Sequence, residues 1–232
     1  MEKIRINHYI SKCGYCSRRE ADRIIIDGKV KINDKIASLG DLVSNADKVF
    51  VNGQLIEIIK KNSYYVLNKP IGIECTTNLS IKDNVISYLN IDKKIFPVGR
   101  LDKNSRGLLI LTDDGDLSNK ILKSKNNYEK EYIVEVNKNI DDKFINSMSN
   151  GVPILDTITK KCVVEYINKR KFRIILTQGL NRQIRRMCEY FGYKVVDLNR
   201  VRILNIKLND LKIGEFRKLS IKEINNLKSI VD

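Results

Sequence analysis

The sequence predicts an α+β protein of two domains, a small one at residues 1–60 and a larger one at residues 63–232. In the larger segment, apolar runs of strand length outnumber helical patterns and follow one another at mixed spacing, which favours a mixed, largely antiparallel sheet. Residues 1–60 instead open with two helical patterns and continue with short strands. The polar stretch Lys60–Ser63 between them has the composition of a linker.

The 232 residues carry a large excess of positive charge, with 43 lysines and arginines against 28 acidic residues and a net charge of +15. Such an excess suits a polyanionic partner, which can be RNA, DNA or an anionic membrane surface. No stretch reaches the roughly 18 apolar residues of a membrane span, and the start MEKIRINHYI lacks the apolar core of a signal peptide. We therefore expect a cytoplasmic protein with no membrane partner.

The five cysteines are odd in number and scattered, as in proteins of a reducing compartment. Cys13 and Cys16 form a C-x-x-C pair, but a zinc site would need two further ligands, and His8 is the single histidine of the sequence. We expect no metal at this pair.

The small domain begins with two predicted helices. Residues spaced for the inner face of a first helix are Ile4, Ile6, Tyr9 and Ile10. A second helix, Arg18–Ile26, starts after the cap Ser17, and Glu20 stands where a capping box requires it. Strands are predicted at Val30–Ile32 and Lys48–Val51.

Three arginines, Arg18, Arg19 and Arg23, lie together on the second helix. On charge alone they are equally an ordinary solvated face or a contact for a polyanion. The run SRREADRIIIDGKVKIN, Ser17 to Asn33, resembles the S4 RNA-binding domain. That resemblance implies that the basic helix faces RNA.

The larger domain is predicted to consist of strands with three helices among them. Its predicted elements are strands at Tyr64–Leu67 and Leu108–Leu111, a helix at Asp116–Leu122, strands at Lys130–Val134 and Phe172–Thr177, a helix between Asn181 and the capping Gly192, strands at Val195–Leu198 and Val201–Ile206, and a helix at Ile221–Ile230.

The helix after Asn181 has an apolar face with the spacing i, i+3, i+4, i+7. Its members are Ile184, Met187, Cys188 and Phe191. Arg182 and Arg186 are predicted to point away from that face. Arg185 is predicted at its flank, where an arginine can reach sideways into a cleft.

Asp102 is the candidate reactive group. It stands between Arg100 and Lys103, just before the apolar run Leu108–Leu111, and therefore on a loop that feeds a buried strand. Nearby positive charge favours an ionised carboxylate, suited to act as a nucleophile or a base. For an isolated aspartate, the ordinary alternative is a surface ion pair.

A second acidic group comprises Asp113, Asp114 and Asp116. Three carboxylates so close in sequence are compatible with Mg²⁺ binding. The favoured interpretation is a turn with acidic residues at a helix N-terminus, where the helix dipole stabilises them.

The stretch GRLDKNSRGLLIL around Asp102 resembles the active-site motif of the RsuA family of pseudouridine synthases, and most of all the F-type enzymes of 23S rRNA. LNKPIG, KEYIV and QGLNRQIRRM resemble further motifs of the same family. The resemblance implies that Asp102 is catalytic, that Tyr132 stacks on the target base and that Arg185 pairs with Asp102. Arg100 would occupy the space left by a flipped base and contact phosphate, with Arg182 and Arg186 as further RNA contacts.

The resemblance also implies the pseudouridine synthase fold and the isomerisation of a chosen uridine without a cofactor. The expected partner is 23S rRNA or its assembly intermediates, with tRNA as a second substrate, and we expect a monomer. Two other classes stay open on the residues alone. One is a non-catalytic S4-type RNA-binding or ribosome-assembly protein, and the other is an RNA glycosidase or metal-dependent nuclease.

Overall fold

A computed structural model describes residues 3–44, 46–58, 62–123 and 126–232. The chain forms two compact units. The amino-terminal unit comprises Met1–Ser63 with Asp113–Gly115, and the carboxy-terminal unit comprises Tyr64–Thr112 with Asp116–Asp232. Lys60 and Lys61 of the predicted linker lie outside the described residues.

The amino-terminal unit packs two helices on short strands. Its elements are β1 Ile4–Arg5, α1 Ile6–Lys12, α2 Arg18–Ile26, β2 Val30–Ile32, β3 Lys35–Ile36, β4 Leu42–Val43, β5 Val49–Val51 and β6 Gln54–Ile56. Strands β3, β2, β5 and β6 form one sheet in that order, and β1 pairs with β4. The second helix and the strand after it have the bounds expected from the sequence.

Two details at the helix starts differ from the expectation. Ile4 is not helical, because it pairs with Val43 in the β1–β4 ladder. The Ser17 hydroxyl accepts a hydrogen bond from the Glu20 amide at 3.2 Å, as a cap should. The Glu20 carboxylate, however, bonds to the Arg23 guanidinium at 3.1 Å and so does not complete the predicted capping box.

The carboxy-terminal unit is built on one large sheet. Its elements are β7 Tyr64–Lys69, α3 Val85–Leu89, β8 Phe96–Val98, β9 Arg106–Thr112, α4 Gly115–Leu122, β10 Lys130–Val136, α5 Asp142–Ser149, β11 Pro153–Ile154, β12 Thr157–Ile158, β13 Val163–Asn168, β14 Lys171–Leu176, α6 Gln183–Tyr190, β15 Val195–Ile203, β16 Ile206–Lys207, β17 Phe216–Lys218 and α7 Ile221–Val231.

The sheet runs in the order β13-β14-β10-β15-β9-β7-β17, with β16 beside β15 and β8 beside β9. Among its described ladders, β9–β15 is parallel and the others are antiparallel, which confirms the mixed, largely antiparallel sheet. The parallel pair is short and matches Asn199 with Arg106 and Arg200 with Gly107. It joins the two halves of the sheet.

The two halves of the sheet are covered differently. At β7 and β9, apolar side chains of one face pack against α4 and α7, and those of the other face pack against α3. Burial on both faces explains why Leu108–Leu111 is continuously apolar. At β10, β14 and β15, one face packs against α5 and α6, while the reverse face carries Glu131, Arg173 and Arg202.

The strand near the C-terminus departs from the expectation. The sequence predicts a break between Leu198 and Val201, but β15 runs unbroken from Val195 to Ile203. Asn199 and Arg200 at the apparent break are polar, and a polar pair interrupts an apolar pattern without interrupting a hydrogen-bonded ladder. Both residues pair with β10 on one side and β9 on the other.

Candidate active site

A cavity of about 750 Å³ opens in the carboxy-terminal unit, where the middle of the sheet meets the start of α6. Asp102, Tyr132, Arg182 and Arg200 are among its lining residues. Volumes of roughly 300–1,000 Å³ are usual for small-ligand pockets, so the cavity has room for a nucleotide.

The turn that carries Asp102 is held in place by main-chain hydrogen bonds. The Ser105 amide donates to the Asp102 carbonyl at 3.0 Å and closes the turn. The Gly72 amide donates to the Lys103 carbonyl at 2.9 Å, so the loop of the LNKPIG motif supports this turn from the side. About a third of the Asp102 side chain is exposed, which leaves its carboxylate open to the cavity.

Arg185 lies behind Asp102 and is buried, although the sequence predicts it at the flank of α6. Its Nη2 donates to the Asn104 carbonyl at 2.7 Å and to Ser105 Oγ at 3.2 Å, and Nη1 donates to the Val195 carbonyl at 3.3 Å. Its Nε lies 3.9 Å from Asp102 Oδ2 and has no hydrogen-bond partner among the described residues. Burial lowers the pKa of Arg185, as does Arg182, while Asp102 raises it. The structure thus brings Arg185 and Asp102 together.

Arg182 and Arg186 do not behave as a pair. Arg182 is exposed, away from the apolar face of α6, and it lines the cavity as the N-cap of that helix, with a left-handed φ of 51°. A position outside the helical repeat does not follow the helical wheel. Arg186 is half-buried, and its guanidinium donates to the Asn181 carbonyl at 3.1 Å.

Tyr132 and Arg100 both line the cavity, one from a strand and the other from a loop. Tyr132 is a half-buried residue of β10 whose ring packs against the core under α5 and α6. Arg100 belongs to the loop before Asp102 and is exposed. The cavity to which Asp102 opens is therefore lined by a half-buried ring and an exposed guanidinium.

Three buried or half-buried cations around the cavity were not singled out from the sequence: Lys69, Lys130 and Arg200. The Lys69 side chain is fully buried, and its Nζ donates to the carbonyls of Pro70 at 2.9 Å and Ile73 at 2.8 Å. Burial lowers the pKa of Lys69 and of Lys130, and the charge of Arg200 lowers both further. A lysine or arginine inside a strand pattern usually faces solvent, so the sequence carried no signal for them.

The predicted RNA-binding arginines of α2 lie in the amino-terminal unit. Arg18, Arg19 and Arg23 are all exposed. The Arg23 guanidinium shares its charge with Glu20 in an exposed ion pair, whereas Arg18 and Arg19 extend the basic surface of the helix start.

Two possible features are not found among the residues that the structure describes. No group of three or more histidine, cysteine, aspartate or glutamate side chains there is arranged to hold a metal ion. Within the same residues, no helix has the length and apolar character needed to cross a membrane.

Comparison with known proteins gives the same two parts. The family model described as RNA pseudouridylate synthase matches residues 63–190, and the S4 domain model matches residues 4–49. The dual-specificity RNA pseudouridine synthase RluF of Salmonella typhi is 53% identical over 230 residues, covering 98% of this chain and 80% of the relative. The ribosomal large subunit pseudouridine synthase B of Bacillus subtilis (strain 168) is 31% identical over 237 residues, covering 98% and 97%.

A solved structure supports the assignment. A crystal structure of a pseudouridylate synthase matches with a TM-score of 0.70 and 29% identity, covering 97% of this chain and 99% of that one. Since the family model spans more than half of the chain and the relatives span nearly all of it, this chain belongs to the RsuA-type RNA pseudouridine synthases, isomerases that act on RNA, and carries an S4 domain.

Proposed function

We propose that this enzyme converts a specific uridine of 23S rRNA to pseudouridine, with tRNA as a second substrate, and that Asp102 is the catalytic carboxylate. The names of the relatives, one a dual-specificity RNA enzyme and one an enzyme of the large ribosomal subunit, support the choice of substrates. The reaction breaks the N1–C1′ bond, turns the uracil and joins C5 to C1′, and the hydrogen of C5 is lost as a proton.

One observation carries the proposal: the Asp102 carboxylate opens to a nucleotide-sized cavity while Arg185 Nε lies 3.9 Å behind it. Both chemical routes, attack on C1′ and removal of a sugar proton, require the ionised carboxylate. A guanidinium at this distance orients that carboxylate without protonating it. In this arrangement Arg185 acts on the position of Asp102 and Asp102 acts on the sugar.

A uridine must leave its stack to reach Asp102, and the cavity has suitable walls for it. Tyr132 offers a ring on which the extruded base stacks, a common way to hold an unstacked base. Arg100, at the exposed edge, occupies the place that the base leaves and contacts phosphate. Arg182 and Arg186 at the start of α6, with Arg18, Arg19 and Arg23 in the S4 domain, supply further phosphate contacts.

The test follows tritium released from RNA labelled at uracil C5. Wild-type enzyme should release tritium in the presence of a chelator and leave the strand intact, whereas Asp102→Asn should release none and still bind RNA. Glu74→Gln is the matched control, because Glu74 is a second carboxylate that lines the cavity and pairs with Lys103 at 3.4 Å. It should keep most of the activity.

Activity in Asp102→Asn, or its loss in Glu74→Gln alone, would assign the chemistry to another carboxylate. Binding by the wild type without release on any rRNA or tRNA would favour a non-catalytic RNA-binding role. Mapping pseudouridine in rRNA and tRNA with and without the enzyme identifies the uridine.

A further inference from the structure

Arg200 is a buried arginine of β15 that binds both ends of the segment carrying Asp102. It is 3% exposed. Its Nε donates to the Leu108 carbonyl at 2.7 Å, and its Nη1 donates to the Arg100 carbonyl at 3.2 Å. Arg100 stands two residues before Asp102, and Leu108 stands six residues after it. Arg185 binds the middle of the same segment at Asn104 and Ser105, so two arginines together hold it at four residues.

A β-bulge directs Arg200 to this task. In the β10–β15 ladder, Tyr132 is opposite Arg200 and Glu131 is opposite Arg202, so that Val201 is an extra residue. In a regular strand, residues two apart share a face, and a bulge changes that relation. Arg200 therefore lines the cavity with Tyr132, whereas Arg202 lies on the reverse face and bonds to the Glu131 carboxylate at 2.6 Å.

The bonding of Arg200 is unusual for a buried charge. Its two hydrogen bonds among the described residues go to main-chain carbonyls, and its Nη2 has no partner there. A buried cation held mainly by carbonyls destabilises a fold relative to a well-packed apolar residue. Its bonds are, however, directed at the one segment whose placement the chemistry depends on.

We propose that Arg200 is a positioning residue for the isomerisation, which fixes Asp102 by holding the two ends of its segment against β15. This rests on the proposed role of Asp102. It assigns to Arg200 a part in kcat rather than in RNA binding, since its contacts are with the enzyme's own main chain.

The test compares Arg200→Met and Arg200→Lys with the matched control Arg202→Met in the full-length enzyme. All three change an arginine of β15 that bonds to other parts of the enzyme, but Arg202 is half-buried and lies on the reverse face. In tritium release, Arg200→Met should lower kcat about 100-fold, the loss expected of a misplacement near 1 Å, with little change in KM. Arg200→Lys keeps a charged hydrogen-bond donor but lacks the planar guanidinium, so it should retain more kcat than Arg200→Met. Arg202→Met should lower the melting temperature yet keep kcat well below that temperature.

A second measurement does not need activity. Amide hydrogen exchange of Leu101 and Ser105, whose amides bond to Cys75 Sγ and the Asp102 carbonyl, should quicken in Arg200→Met and not in Arg202→Met. Equal kcat in the two methionine variants, a loss confined to KM, or unchanged exchange would overturn the inference. Faster exchange combined with an inactive wild type would instead refute the proposed function, and with it the part of Arg200 in kcat, and leave only its hold on the Asp102 segment.

Discussion

Gly107→Ala tests the closest approach of the two halves of the sheet. Gly107 has φ of +108°, and a β-carbon there would lie 2.3 Å from the Arg200 carbonyl oxygen and 2.6 Å from the Arg200 amide nitrogen. The Asn199 Oδ1 atom would lie 2.4 Å away, and that side chain can turn aside, but the two Arg200 atoms belong to the main chain of the parallel ladder and cannot. The substitution should therefore force β9 away from β15.

The expected loss has two parts. A side chain at this φ costs about 1–3 kcal/mol. Overpacking against β15 costs about 1–3 kcal/mol more. Together they predict a loss of about 2–6 kcal/mol in the free energy of unfolding, or roughly 5–20 °C in melting temperature for a unit of this size.

Calorimetry of variants at two other glycines separates the cost of backbone strain from the cost of overpacking. Gly192→Ala has the left-handed φ of +73° but a nearest contact of 3.7 Å, so it should lose about 1–3 kcal/mol. Gly179→Ala has neither strain nor a neighbour within 4 Å and should change stability by less than about 1 kcal/mol. Because Gly107 abuts Arg200, Gly107→Ala should also lower kcat, whereas Gly192→Ala should not. A loss no larger than that of Gly192→Ala would refute this account of the β9–β15 contact.

Three further outcomes are expected. Arg185→Ala should lower kcat far more than Arg186→Ala, which should instead weaken RNA binding at raised salt; equal losses in tritium release would contradict this. Alanine at Arg18, Arg19 and Arg23 should lower the log–log salt slope of RNA binding by about 0.7–0.9 per lost phosphate contact, with Arg23 contributing least because it pairs with Glu20. An unchanged slope in filter binding would exclude α2 from the interface. Arg217 holds the pKa of Glu223 at about 2, below its ordinary 4.5, so Glu223 stabilises the fold above pH 4.5 and this contribution fades as pH falls to about 2. Urea unfolding of Glu223→Gln should accordingly match wild type near pH 2 and fall below it at neutral pH.

The parts of the fold that were predictable from the sequence have local causes. The apolar run Leu108–Leu111 indicates a strand buried on both faces, and the apolar repeat of α6 indicates its packed side. The left-handed conformation of Arg182 was not predictable, because a helical wheel assumes that every residue is helical. The break predicted within β15 arose because Asn199 and Arg200 interrupt the apolar pattern, although their main chains continue the ladder.

The candidate site divides in the same way. Asp102, Tyr132 and Arg185 were identifiable because they stand in motifs, although their catalytic roles stay predictions. Arg200 was not identifiable, because its function depends on carbonyl groups that lie far away along the chain. A sequence pattern shows which side chains are present, but it does not show which main-chain carbonyls they will bond to.

The parallel β9–β15 pair has a consequence for biosynthesis. Arg200 and its acceptor Leu108 are 92 residues apart, and Arg185 and its acceptor Asn104 are 81 apart. At about 5–20 residues per second, the ribosome would make β15 roughly 5–20 seconds after the Asp102 turn. Closing so long a loop is also a slow step of folding. The nascent chain therefore exposes the Asp102 motif well before the cavity around it is complete, and the cavity forms only after β15 has docked.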